Sequence, residues 1–390
     1  MKKLLPILVL VLAVFAAGCG GDDDETTGTT PAATNGATTG GTAAADCTGS
    51  IGVMAPITGD AASIGTEQLN FTKFAVSQYN EENGTSFQLV EGDTQLDPAQ
   101  ASTVAQRFVS NDDILAVVGP AGSQEVEAVG PIFTRADLGF ISGSATRTSL
   151  TQSGDFPTFR RVVPNDDAQG PTIGTFIAEE LDAKTVFIVD DQTSYSTGLA
   201  ESVTEALEGA EVTVQRDSVN QDQSDFSALV SRAGNADVVF LPWQLANKAQ
   251  VFAQQLKEQG SDAVVFGSDG LFSADFTAEG SYVSSFAPDI KEIESSSELV
   301  EAYEAEYGEF TSTFGPPMYA ATQAALAAIS AACEDGEPTR ESVNEKLGET
   351  DQQDSILGDA ISFDDSGDVE GARFYLFKVL GGGKYEPADG

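Results

Sequence analysis

From Ser50 onward, short stretches of continuous apolar residues alternate with longer stretches whose apolar positions recur every three or four residues. Ile51-Gly52-Val53-Met54 predicts a strand, and Phe71, Phe74, Ala75 and Tyr79 then fall on one face of a helix. Phe87 to Val90 predicts the next strand, followed by a helix from about Pro98 to Val109 with proline at a good first-turn position. Ile114 to Val118, a helix from about Ser123 and a strand at Gly139 to Ser142 complete a first run. The pattern then restarts. Ile173, Phe176, Ile177 and Leu181 mark a helix, Thr185 to Val189 a strand, and Leu199, Val203, Ala206 and Leu207 another helix. Val212 to Val214, Val238 to Leu241 and Val264 to Phe266 follow as strands. Strands that are apolar throughout and joined by helices imply parallel sheets covered on both faces. The fold class is therefore α/β, with two Rossmann-like lobes.

Two extended runs, Phe159 to Pro164 and Tyr282 to Phe286, the second followed by Pro288, are predicted to cross between the lobes. A helix around Pro317 to Cys333 would return to the first lobe, and a third crossing near Ile356 to Ala360 would lead to a closing hairpin, Ala360 to Val379, in the second. The expected lobes are residues 47–163 plus 287–358, and residues 164–286 plus 359–390. Two such sheets set their carboxyl strand ends face to face, where open α/β sheets bind ligands. A waist of three strands predicts hinge closure around that ligand.

The N-terminus has a different character. Lys2 and Lys3, an apolar run from Leu4 to Ala17 and then Gly18-Cys19 have the layout of an export signal, with a run too short for a comfortable membrane span. Ala16-Ala17-Gly18-Cys19 resembles the bacterial lipoprotein box. That resemblance implies a lipoprotein signal peptide at residues 1–18, lipidation of Cys19, and an extracytoplasmic protein lipid-anchored to the outer face of the bacterial cell membrane. Residues 19–46, rich in Thr, Gly, Ala and Asp, cannot bury enough surface to offset chain entropy and are expected to form a disordered tether. Two cysteines remain, Cys47 and Cys333. In an exported protein two thiols would pair as a disulfide; the alternative is two buried free thiols.

Composition narrows the chemistry. Across 390 residues, 19 Lys and Arg oppose 61 Asp and Glu, a formal net charge of −42. So negative a surface repels phosphate backbones and anionic headgroups, which argues against a nucleic-acid partner. Histidine is absent, which removes every Ser-His-Asp or Cys-His mechanism and every His-ligated metal site. With no CxxC, GxGxxG, GxxxxGK or GxSxG pattern, no metal, no cofactor and no enzymatic activity are expected. Asp364-Asp365-Ser366-Gly367-Asp368 lacks the terminal Glu and spacing of a calcium loop and is read as a turn.

The informative residues lie in the loops after the strands. Gly119-Pro120-Ala121-Gly122-Ser123 is a small-residue turn opening a helix, whose free N–H groups suit an anion. Ser142-Gly143-Ser144-Ala145-Thr146 is rich in hydroxyls, Asp190 to Tyr195 brings a tyrosine, and Gly267-Ser268-Asp269-Gly270 a carboxylate. Singly these would be ordinary caps and turns. Together at facing strand ends they suit a small zwitterion.

These loops resemble those of the branched-chain amino-acid-binding proteins, the type I periplasmic solute-binding components of ABC importers. The likeness runs from Ser50 to Val379 through IGVMAPITGDAASIG at 51–65, AVVGPAGS at 116–123, SGSAT at 142–146, VDDQTSYSTGLA at 189–200, GSDG at 267–270 and MYAATQAAL at 318–326. It implies that Ser123, Ser144 and Thr146 hold the ligand carboxylate and part of its ammonium group, with Ala145 among them and Gly122 in the same turn. It further implies that Tyr195 closes from the second lobe and that Asp269 pairs with the ammonium. Ile64 and Phe314 take wall positions, and either Trp243 or Gln244 takes another. The implied partners are an amino acid, apolar in its side chain, and the membrane permease of an ABC importer, with the binding protein itself a monomer. An amide, urea, or a small carboxylic or aromatic acid is the alternative ligand, and a ligand-binding sensor the alternative role.

Overall fold

The computed structural model describes residues 47–388; the signal peptide, Cys19 and the tether lie outside the described residues. The first sheet holds β1 (Ser50–Ala55), β2 (Gln88–Asp93), β3 (Ile114–Val118), β4 (Gly139–Ser142) and β5 (Phe159–Arg161) in the order β2-β1-β3-β4-β5, all parallel. Between them run α1 (Ala62–Asn83), α2 (Pro98–Val109), α3 (Ser123–Thr134) and the short α4 (Ser149–Gln152). Successive strand residues enter opposite cores: Val53, Val118 and Ile141 pack on one face, Met54, Val117 and Phe140 on the other. That two-sided burial is why these strands read as unbroken apolar runs. Helix α2 starts at Pro98, as the sequence predicts, and Asp97 caps it by accepting from the N–H groups of Ala99 and Gln100.

The second sheet takes α5 (Asp166–Thr175, continued by a π-helical turn at Phe176–Glu180), β6 (Thr185–Asp190), α6 (Ser194–Gly209), β7 (Thr213–Ser218), α7 (Ser227–Ala233), β8 (Val238–Leu241), α8 (Ala246–Glu258), β9 (Val264–Gly267) and β10 (Tyr282–Ser285). The chain then returns to the first core through α9 (Ser297–Tyr307), α10 (Gly315–Asp335) and α11 (Arg340–Gly348). A two-residue ribbon, β11 (Asp351–Gln352) against β12 (Ile361–Ser362), precedes β13 (Tyr375–Gly381) and β14 (Lys384–Pro387). These last two are antiparallel edge strands, giving the order β14-β13-β10-β9-β8-β6-β7.

Three expectations need correction. Phe159–Arg161 and Tyr282–Ser285 are ladder strands of the two sheets, paired with β4 and with β9 and β13. The crossings begin only after them. The closing hairpin is β13–β14, whereas Ile361–Ser362 pairs with β11. Ile361, Phe363, Val369 and Phe374 pack with the first core, although residues from 359 onward were expected in the second lobe.

The cause is a buried ion pair. Arg161, fully buried in β5, puts Nε 2.5 Å from Asp368 Oδ1. Its other nitrogens donate to the carbonyls of Ala145 and Arg147 and to Thr151 Oγ1. Asp368 also accepts from Thr151, Gln152 and Asn165. Burial pushes the Asp368 carboxyl up, but the Arg161 guanidinium outweighs it and holds it below the usual carboxylate range. The turn at Asp364–Asp368 is thereby clamped onto β5. Gly367, at φ 93°, is required there, because a Cβ would lie 2.5 Å from the Phe159 carbonyl oxygen. The same guanidinium fixes the loop after β4, which borders the cleft.

A disulfide joins Cys47, ahead of β1, to Cys333 in α10, across 286 positions of sequence. Closing so long a loop chiefly restricts the unfolded chain. Replacing both cysteines by serine should cost about 2–4 kcal/mol of unfolding free energy, measured by denaturant titration. A non-reducing digest should recover the two peptides as one linked species, and two separate peptides would contradict the pairing.

Candidate functional site

Between the facing strand ends lies a small, largely enclosed cavity. The first lobe lines it with Ile64, Leu96, Ala121, Ser123, Ser144 and Phe314. The second lobe adds Tyr195, Gln244, Asp269 and Gly270. The apolar side chains thus all come from one lobe, and the carboxylate and phenol from the other.

Each polar group can be followed by its protons. Ser144 Oγ donates to the Ala121 carbonyl (2.9 Å) and accepts from Gln68 Nε2 (2.9 Å), so its single proton is committed. Ser123 Oγ accepts from the Arg147 N–H at 3.3 Å and keeps its own proton for a ligand. Ser123 also opens α3, where its own N–H and that of Gln124 have no carbonyl partner within the helix, while the Glu125 N–H donates to the Gly122 carbonyl. That corner can receive an anion. Gly119, at φ 95°, begins the turn where a Cβ would lie 2.1 Å from the Met54 carbonyl oxygen, so only glycine lets the loop pass this close to β1.

The second-lobe side is acidic. Tyr195 donates its hydroxyl proton to Asp269 Oδ1 (2.7 Å), and Gln169 Nε2 donates to the same oxygen and to Ser284 Oγ (2.8 Å). Burial pushes the Asp269 carboxyl up to about 6 against those two donors, and drives the Tyr195 hydroxyl well above its ordinary value. Asp166, in the first turn of α5, is buried with neither carboxylate oxygen in a well-formed hydrogen bond. Burial, and then the neighbouring Asp269 charge, raises it to about 7, while Thr146 and the more distant Arg161 and Arg147 oppose the rise. Among the described residues neither aspartate has an ion-pair partner within 4.0 Å. Thr146 Oγ1 and Gln169 Oε1 are likewise buried without partners. This is a nest of oxygen acceptors with no cation.

The lobes touch across the cleft. Gln124 Nε2 on α3 donates to Gln244 Oε1 at 2.8 Å, and Arg147 Nη1 donates to the Ser194 carbonyl at the start of α6. The cleft is closed.

Of the residues singled out in the sequence, Ile64, Ser123, Ser144, Tyr195, Gln244, Asp269 and Phe314 border the cavity. Gly122, Ala145 and Thr146 stand behind it. The Gly122 N–H donates to Glu125 Oε2 (2.7 Å), Ala145 packs in the core under α3, and Thr146 adjoins Asp166. Trp243 turns away altogether: its indole N–H donates to the Val189 carbonyl at 2.6 Å and its ring packs between Phe226 and Phe252. Gln244 takes the wall position instead. Sequence reasoning missed Leu96, which follows β2 with φ 61°, and the pair Asp166 and Gln169, one turn apart at the start of α5. The loop after β2 is itself a strand-end loop, and that was the available signal for Leu96.

Two parallel α/β lobes closing on a cavity at their strand ends define the type I periplasmic-binding-protein fold. A profile of the periplasmic binding protein family matches residues 48–384, and the chain belongs to that family. It is a solute-binding protein of an extracytoplasmic family. A leucine-, isoleucine-, valine-, threonine- and alanine-binding protein of Pseudomonas aeruginosa is 29% identical over 86% of this chain and 90% of its own. A Leu/Ile/Val-binding protein homolog of Brucella abortus is 30% identical over 86% and 92%. A branched-chain amino-acid transporter substrate-binding protein of Streptococcus pneumoniae, solved with isoleucine, superposes with a TM-score of 0.78 at 25% identity, covering 87% of this chain and 98% of that one. A fatty-acid transporter substrate-binding protein of Thermomonospora curvata shares the fold at a TM-score of 0.77 and 18% identity, over 88% and 92%.

Four acids with raised proton affinity fix the sign of a pH effect. Glu67, Glu125 and Asp166 are raised to about 7 and Asp269 to about 6, mainly by burial. Their folded-state values lie above the unfolded ones, so between about pH 4 and about pH 7 the folded chain binds more protons, and stability falls as pH rises. Asp93 and Asp368, held low, lose their contribution only below that window. Calorimetric melting should therefore give a higher midpoint near about pH 5 than near about pH 8. A flat or rising profile would contradict the assignment.

Proposed function

We propose that this chain binds a free α-amino acid with an apolar side chain and delivers it, chemically unchanged, to the membrane permease of an ABC importer. It works outside the cytoplasm as a monomer, held to the membrane by a lipid on Cys19. The observation that carries the reading is the division of the cavity. One end is apolar, with Ile64, Leu96 and Phe314, and the other holds the buried Asp269 carboxylate without a cation beside it. An α-ammonium supplies that cation and donates to Asp269 on the cavity wall, while Asp166 and Thr146 behind it add negative charge and acceptor oxygens. The α-carboxylate takes the Ser123 hydroxyl and the first-turn N–H groups of α3. The binding specificities in the names of the relatives support the same ligand class.

The cross-cleft contacts support capture by hinge closure. In the open form Asp269 would be solvated. Closing without a ligand buries its charge uncompensated, at a cost of several kcal/mol. A bound ammonium removes that cost, so the ligand favours the closed form by its differential affinity.

Calorimetric titration tests the reading, after a thermal-shift screen of the twenty amino acids, short amides and small acids. Asp269→Ala should weaken amino-acid binding by about 2–5 kcal/mol, because it strands a charge. Ser123→Ala should cost about 1–3 kcal/mol, since neighbouring N–H groups partly cover the carboxylate. If Asp269→Ala bound its amino acid as tightly as the parent, the ammonium role would be wrong. An amide or carboxylic acid would then be the better ligand class.

A further inference from the structure

We propose that Glu67 is a positioning residue for side-chain selectivity, acting through Phe314 on the apolar wall. This rests on the amino-acid reading above.

Glu67 lies one turn along α1 from Ile64, itself part of that wall. Its carboxylate faces the segment that carries Phe314. Oε1 accepts from Ser312 Oγ at 2.6 Å and from the Gly315 N–H at 3.1 Å, and Oε2 accepts from the Ser312 N–H at 3.3 Å. Ser312 Oγ in turn accepts from the Phe314 N–H at 3.3 Å. Glu67, Ser312 and the Phe314 backbone therefore form one chain of hydrogen bonds.

The arrangement answers a local need. Phe314 is the N-cap residue of α10 and has no side-chain oxygen to satisfy the helix's free N–H groups. Glu67 supplies that oxygen from another helix, and a negative charge there also suits the positive end of α10. The helices can approach this closely because position 315 is glycine: a Cβ there would lie 2.1 Å from the Phe71 ring. With its backbone held, Phe314 sets its ring edge-on to Phe286, centroids 5.0 Å apart, and toward the cavity. The neighbouring Gln68 holds Ser144. One turn of α1 thus serves both ends of the site, with Glu67 on the apolar side and Gln68 on the polar side. All of this lies within the first lobe, so the wall is shaped before closure.

The experiment is calorimetric titration of L-leucine and L-alanine into the full chain and its Glu67→Ala, Glu67→Gln and Ser312→Ala variants. Burial raises the Glu67 carboxyl to about 7, so measurement near about pH 8 keeps it ionised. A leucine side chain reaches the Phe314 wall and the alanine methyl does not. Glu67→Ala should lower the leucine-to-alanine affinity ratio by about tenfold and change alanine binding by no more than about threefold. Glu67→Gln should restore part of the ratio, because its amide oxygen can still accept from Ser312. Ser312→Ala should move the ratio the same way as Glu67→Ala, and it decides the matter if Glu67→Ala does not fold. A residue that served stability alone would weaken both ligands equally or only lower the melting temperature. An unchanged ratio in the folded variants, with the parent binding leucine, overturns this proposal by itself. A parent that binds neither amino acid overturns the amino-acid reading and this proposal with it.

Discussion

A negative charge is buried between the two lobes with nothing positive beside it, and the rest of the site is arranged around that fact. Tyr195 and Gln169 hold Asp269 in place by donating to one of its oxygens, and Asp166 adds a second carboxylate close by. Hydrogen bonds of this kind orient the carboxylate and oppose its protonation, but burial outweighs them and raises its proton affinity. The buried Arg161 guanidinium nearby is already paired with Asp368 and with two loop carbonyls. A cationic ligand group is what the closed cleft lacks. On the proposed reading, the acids make closure unfavourable when the cleft is empty and favourable when it is filled.

The division of labour between lobes follows. The first lobe holds the apolar wall and the free Ser123 hydroxyl at the start of α3, all fixed by contacts within that lobe. On the proposed reading it engages a side chain and a carboxylate before any hinge motion. The second lobe contributes polar groups that arrive together on closing, Tyr195, Gln244 and Asp269. Arg161 and Asp368 give this motion a firm base, because they lock β5, the turn at 364–368 and the loop after β4 into one body. The closed form is then latched at the rim by Gln124 to Gln244 and by Arg147 to the Ser194 carbonyl.

Much of this was legible in the sequence because burial on both sheet faces leaves an unmistakable mark. The apolar runs at Ile114–Val118 and Val238–Leu241 could only be inner strands. The small and hydroxylic loops after the strands marked the cleft, and Ser123, Tyr195 and Asp269 converge in one cavity. What stayed hidden depended on neighbours remote in sequence. Phe159–Arg161 looked like a connector because its pairing with β4 is non-local. The resemblance left either Trp243 or Gln244 for one wall position; the Trp243 N–H finds a carbonyl in the core, and Gln244 borders the cavity. A leucine in a loop, Leu96, reads as ordinary packing, and its left-handed backbone is uncommon for that residue. Glu67 resembles any charged helix residue until the chain returns 245 positions later with Ser312.

The central claim is that the ammonium–carboxylate contact drives closure, while the first lobe alone can hold the rest of the ligand. Dipolar spectroscopy between spin labels on α2 and α7, one on each lobe, measures this directly in the presence of saturating L-leucine or its deaminated analogue. Leucine should shorten the inter-label distance to that of the closed form, and the analogue, though bound, should leave it at the ligand-free value. Equal shortening by both compounds would contradict it.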